Sequence, residues 1–523
     1  MLVLFCILGS PDVLPVLCVH QSFKGRNARH IRRTAIWYTI KNSTSITRSN
    51  TKGMQPYAPL EKKELPEPPH WTKALGVGVV VMGLGIGTGE LIMWPHLITK
   101  HGLTLLWLAL VGISGQYFIN REVARHEVAT GEGFFTTSAR VFAGTAFFWF
   151  VAAIILYVWP AWATAIGTTL VKLTGYGDYI FWARVVYVLL ILLTFSGRIA
   201  YVLLERILLL TVPTFFILLL AISSMNLSWE LLAEGLRGVF SFGSIPDGVD
   251  MNVLLGAVVF AGAGGMLNLA VSLWYRDKQV GMGKYVGRIT NPITGRVQAV
   301  AATGYTFDTS NPMLMRRWRG WMRYVTIDQG VIFLILGFTT LFLLSLNAYA
   351  VLVPMGIVPE GVQVAVVQAN IFGEQWGRPG FYLFLVMAFL MLFSVMWTVI
   401  DALTRMLTDI IYTNARSGPY VKIFSIFDRI SAGGLYYSIV TIVCVVGIIL
   451  SGYSQPLALL TISGVLSGIS MALYMPLLMY VNNRRLPVPL RPNIVTNFFM
   501  FGFWMFYLYF AYVVIRNAIA SFL

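Results

Sequence analysis

The sequence predicts an all-α polytopic membrane protein. Of its 523 residues 57% are hydrophobic and only 11% are charged, where a soluble domain carries about 25% charged residues. Apolar runs of about 20 residues recur down the chain, the length a helix needs to cross a hydrocarbon core of about 30 Å. A β-barrel is excluded, because its strands alternate lipid-facing and lumen-facing residues over about ten positions. Cys6, Cys18 and Cys444 are too few and too scattered for a disulfide framework or a metal cluster.

Residues 1–53 differ from everything after them. They hold eight Lys/Arg against Asp12, a net +7 of the chain's +16. The segment is expected to be a basic, unstructured extension or an artefact of a start placed upstream of Met54. A targeting peptide is the alternative, although here the basic residues follow the apolar run instead of preceding it. Residues 54–73 form a Pro-rich, charged leader expected to be an exposed cytoplasmic tail. The membrane domain is expected over 74–516, with a short tail at 517–523.

Eleven spans are predicted, at about 74–99, 103–124, 145–172, 180–197, 203–224, 252–274, 325–350, 380–412, 433–451, 455–481 and 494–516. The loop between the sixth and seventh holds nine Lys/Arg from Arg276 to Arg323. With Arg198, Arg206, Arg405, Arg416, Arg484 and Arg485 these fall on one side, which the positive-inside rule makes cytoplasmic. The expectation is an N-terminus inside the plasma (bacterial inner) membrane and a C-terminus outside. The positive charge is then an orientation signal, and no nucleic-acid partner is expected; the partners are the lipid bilayer and a small ion or solute.

Two spans weaken themselves. "VVMGLGIGTGELIMWP" (80–95) places Gly83, Gly85, Gly87 and Gly89 on alternate positions before Glu90. One glycine stripe would serve close helix packing, but glycines at i, i+2, i+4 and i+6 wrap around a helix. Backbone that leaves helical geometry in mid-membrane is tolerated where it lines a cavity. The sixth span repeats the feature in "VVFAGAGGMLNLAVSLW" (258–274), with Gly262, Gly264, Gly265 and Asn268. Interrupted spans at corresponding places in two halves point to a transporter built as a 5+5 inverted repeat, with its substrate between the breaks. Glu90 is a functional candidate because a carboxylate in a span is costly unless paired or hydrated. The simpler role is a cap on the second half-helix, and the two roles are compatible.

From Ala74 onward the sequence resembles the divergent, bacterial-type branch of the Nramp family of proton-coupled divalent-metal transporters, within the amino acid–polyamine–organocation superfamily. "HGLTLLW" (101–107), Arg125 and "ATG" (129–131) carry the resemblance, as does Glu205 in "LLERILLL". "GTGE" (87–90) falls on the family's Asp-Pro-Gly-Asn motif and "GGMLN" (264–268) near its Met-Pro-His-Asn motif. The resemblance implies a leucine-transporter-like fold with about eleven helices, the first and sixth broken. It also implies a secondary transporter, not an enzyme, that moves a small ion with protons as coupling ion. Substrate contacts would come from Gly87, Thr88, Glu90, Gly264, Gly265 and Asn268. Glu90 and Asn268 would be the metal ligands, and the divalent cation would be substrate, with no resident cofactor.

The ligands depart from the family's. Gly87 stands at the family's Asp position, and its thioether position aligns with Gly265 or is displaced to Met266. A harder cation such as Mg²⁺ suits the remaining oxygen ligands better than Mn²⁺ or Fe²⁺. An organic solute or an anion is the alternative substrate, and a channel or non-transporting scaffold the alternative class. Asp401, well inside the eighth span, is expected either to carry a coupling proton beside Glu90 or to pair with Arg405 at i+4.

Overall fold

A computed structural model describes residues 57–70, 76–87, 89–296, 298–358, 363–452 and 456–522. The expectations for residues 1–53, for Met54 and for Thr88 concern residues outside that description. The spanning elements run in order as α1 (Val77–Gly85), α2 (Trp94–His101), α3 (Leu106–Thr130), α4 (Gly144–Tyr157), α5 (Ala161–Thr174), α6 (Tyr179–Ser196) and α7 (Ala200–Asn226). They continue as α8 (Met251–Val259), α9 (Leu267–Asp277), α10 (Pro312–Ile327), α11 (Gly337–Leu352), α12 (Gln363–Arg416), α13 (Ala432–Leu450), α14 (Pro456–Arg484) and α15 (Ile494–Phe522).

Among the described residues ten stretches are long and apolar enough to cross a membrane, against the eleven predicted. The difference lies in the sixth span. It is two helices of 9 and 11 residues, α8 and α9, and at 1.5 Å per residue neither reaches across alone. The seventh span begins at Pro312, not near 325, because Asn311 caps it by accepting the Met313 N–H at 2.9 Å. α12 is interrupted at Gly377 (φ 68°), just before Pro379. The last helix continues to Phe522, through the residues expected as a tail.

The leader departs from an exposed tail. Its few apolar residues are drawn inward: Leu65 is fully buried and Tyr57 nearly so, its hydroxyl donating to Asn414 Oδ1 at 2.8 Å. Trp321 Nε1 donates to the Pro66 carbonyl at 2.8 Å. Glu61 and Lys62 pair in parallel with Tyr305 and Thr306 as a two-residue ladder. Glu64 and Glu67 meet Arg317 at 2.6 and 3.0 Å, both glutamates largely in solvent. Exposed ion pairs contribute little, so burial holds the leader down. In thermal unfolding Leu65→Ala is expected to cost about 2–5 kcal/mol. Arg317→Ala, which also removes the bond from Arg317 Nη1 to the Leu65 carbonyl at 2.9 Å, should cost less, about 1–2 kcal/mol, and the reverse ranking would show a leader held by charge.

Candidate functional site: two helix breaks that meet

In the first break α1 stops at Gly85, Ile86 is extended (φ −80°, ψ 94°), and a wide π-type turn over Gly89–Met93 leads into α2. The alternating glycines each face a different neighbour. A Cβ on Gly83 would meet Leu208 at 2.8 Å; on Gly85 it would meet the backbone of Gly262 at 3.2 Å. At Gly87 it would collide with Val395, and at Gly89 with the Phe260 carbonyl. These glycines serve close approach, Gly83 and Gly85 at the end of the first half-helix and Gly87 and Gly89 beyond it, with Gly85 and Gly89 both against the second break. The second break uses glycine differently: Gly264 and Gly265 adopt φ of 77° and 59°, the left-handed region that a Cβ disfavours.

Freed backbone groups are taken up by side chains. Glu90, 1% exposed, accepts the Gly87 N–H at 3.0 Å and so caps the start of the second half-helix. Gln116 on α3 spans the other break, donating to the Val259 carbonyl at 2.7 Å and accepting the Gly264 N–H at 2.8 Å. Tyr474 donates to the Gly265 carbonyl at 3.0 Å and Tyr157 to the Gly264 carbonyl at 3.4 Å. Ser394 donates to the Gly83 carbonyl at 3.1 Å, and Trp94 Nε1 reaches the Ala257 carbonyl at 3.0 Å.

The predicted site residues separate into two groups. Gly87 and Glu90 are bonded to each other. Gly264, Gly265 and Asn268 cluster around Tyr474, to which the Asn268 amide donates at 3.4 Å. The Asn268 Oδ1 has no hydrogen-bond partner among the described residues. The polar partners of Glu90 are backbone of its own turn, and no hydrogen bond joins it to Asn268 among the described residues. Between the breaks lies about 190 Å³ of interstitial space in gaps too narrow for water. Leu84, Trp162, Phe260, Leu267, Val395 and Val399 line it, with the backbone of Gly85, Gly262 and Ala263. Among the described residues no three His, Cys, Asp or Glu gather as a metal site.

Asp401 lies six residues beyond Val395 along α12. It makes the i, i+4 pair with Arg405 Nε at 2.6 Å and accepts from Trp274 Nε1 at 2.7 Å and from the Tyr436 hydroxyl. Arg405 also binds Asp277, and Arg276 binds Asp409, so α9 and α12 are joined by a ladder of alternating charge. Asp328, fully buried in the seventh span, accepts the Gly78 N–H at 2.8 Å and the Tyr275 hydroxyl at 2.7 Å, tying α1 to α9. Asp328 and Gln116 were missed in the sequence although both are polar residues inside predicted spans, the signal that selected Glu90 and Asp401. Tyr157 and Tyr474 gave no such signal, since aromatic residues are common in spans.

No family model matches the sequence, and no curated protein matches it. Solved structures do match the chain's fold. The manganese transporter of Eremococcus coleocola, in complex with an aromatic bis-isothiourea substituted compound, superposes with a TM-score of 0.60. The match has 13% identity and covers 88% of this chain and 91% of that one. MhsT in complex with L-phenylalanine gives a TM-score of 0.50 at 15% identity, covering 87% of this chain and 100% of that one. At these identities the likeness establishes the fold, which this chain shares with these two proteins.

Two stability measurements check the site's construction. Gln116→Leu keeps the volume but strands the Gly264 N–H and the Val259 carbonyl, each at a cost of about 1–3 kcal/mol. Arg405→Met leaves two buried aspartates without their cation and should cost about 3–5 kcal/mol in unfolding from mixed micelles. A change under about 1 kcal/mol in either would show that water or a neighbour replaces the lost partner.

Proposed function

We propose that this chain is a secondary active transporter that moves a small cation by alternating access through the crevice between its two breaks. The observation that carries this reading is the meeting of the breaks. Gly85 packs against the backbone of Gly262 in mid-span, and the buried carboxyl of Glu90 lies further along the first break, bonded to the Gly87 N–H. Interrupting two helices in a membrane sacrifices hydrogen bonds, and a scaffold gains nothing from it.

The sign of the substrate follows from which helix ends border the crevice. The carbonyl-bearing ends of α1 and α8 point toward the crevice, and these carry partial negative charge. The positive start of α2 is already covered by Glu90 itself. The carbonyls there are bonded to side chains in this conformation, but the partial negative charge of both helix ends suits a cation better than an anion.

The divalent-metal form of this reading, coupled to protons, is supported by the Nramp-like motifs and by the fold shared with a manganese transporter. Glu90 and Asn268 would hold the ion with backbone carbonyls and part of its water shell. The coupling protons would use Glu90 and the Asp401 ladder. The organic-solute form is favoured by one observation, the apolar lining of Trp162, Phe260, Leu267 and their neighbours. The Lys/Arg bias of the loops supports a leader on the cytoplasmic side of the membrane.

Uptake into proteoliposomes tests the reading, with Mg²⁺, Mn²⁺, an organic amine and an amino acid offered with and without a pH gradient. Glu90→Gln is expected to lower uptake of the transported cation by about tenfold or more. Uptake equal to wild type would remove Glu90 from the site, and concentrative uptake of an anion alone would overturn the cation assignment.

A further inference from the structure

On the leader side of the breaks, α3 brings one more acid to the ladder between α9 and α12. Glu127 is 0% exposed. Its Oε1 lies in the notch left by Gly283, where a Cβ would collide with it and come within 2.9 Å of the Arg276 Cα. Neither oxygen of Glu127 has a hydrogen-bond partner among the described residues. Arg276 Nε, Asp277 Oδ1 and Arg405 Nη2, all in the ladder, are likewise unpartnered.

Charge is out of balance there. Asp401, Asp277, Asp409 and Glu127 face two guanidinium groups, Arg405 and Arg276, and all six residues are at most 7% exposed. Both arginines are already engaged by aspartates: Arg405 by Asp401 and Asp277, Arg276 by Asp409. Other charges do not correct the excess. On α3 itself Glu122 is paired with Arg125 at 2.8 Å, and His126 lies beside Glu127. Glu132 is paired with Arg140 at 2.6 Å, and Lys284, next to Gly283, is exposed. A buried carboxylate with no hydrogen-bond donor, whose neighbouring guanidinium is already engaged by another acid, is strongly disfavoured. A metal ion is a poor occupant, since it needs several oxygen ligands and no such group gathers among the described residues.

We propose that Glu127 is a proton-binding site, a carboxylic acid kept protonated inside the closed ladder. When α9 separates from α12 and water enters, its O–H bond breaks and the proton passes to water on the leader side. The separation step rests on the transporter reading above; the protonated acid in the closed protein does not.

Infrared spectra of the purified protein in lipid at neutral pH are expected to show the C=O stretch of a protonated carboxylic acid free of strong hydrogen bonds. The band should vanish in Glu127→Gln, shift in Glu127→Asp and persist in Glu90→Gln. A wild-type spectrum without it, or an unchanged band in both Glu127 variants, overturns the site. Glu127→Asp retains an acid, so it reports on the site if the Gln variant does not fold. In vesicles, the ratio of uptake with an inward proton gradient to uptake without one should fall to unity in Glu127→Gln. A ratio equal to wild type overturns the coupling role. Absence of any uptake by wild type would defeat the transporter reading while leaving the infrared result standing.

Discussion

Everything near the centre of this molecule follows from one constraint: in hydrocarbon, a backbone N–H or C=O released from a helix has no water to turn to. The chain breaks two helices there and must find a partner for each released group. Glu90 serves the start of α2, Gln116 serves both flanks of the second break, and Tyr157, Tyr474, Ser394 and Trp94 take the carbonyls. These partners come from α3, α4, α12 and α14 as well as from the broken spans themselves. The surrounding helices are thus arranged around the deficit that the breaks create.

The two breaks reach this state by different uses of glycine. Around Gly83–Gly89 the missing side chains let four neighbours press against the backbone, while at Gly264–Gly265 they permit a left-handed turn. The inverted repeat therefore holds at the level of architecture and not of residue chemistry. Glu90 likewise has no counterpart acid in the second break, where Asn268 occupies the comparable place.

Fold class, the order of the spans and both breaks were legible in the sequence because hydropathy and glycine spacing are local signals. The site was legible only in part. Gly87 and Glu90 come together because they lie within one turn, and Asn268 falls beside the second break. That Glu90 and Asn268 do not bond, that Tyr474 stands between Asn268 and Gly265, and that the lining is apolar all depend on how distant spans pack. The leader was misread for a related reason. Proline and charge dominate its composition, yet two apolar residues, Tyr57 and Leu65, decide where it lies.

The short pairing of the leader with Tyr305 and Thr306 has a kinematic consequence. The chain leaves α9, returns through that pair, and lies against the segment that feeds α1. Asp328 closes a second link between the same two half-helices. Two elements joined at two points lose most of their independent degrees of freedom. The leader-side halves of the first and sixth spans therefore share Asp328 as a common anchor, and a displacement of one either carries the other or breaks a hydrogen bond to that carboxylate.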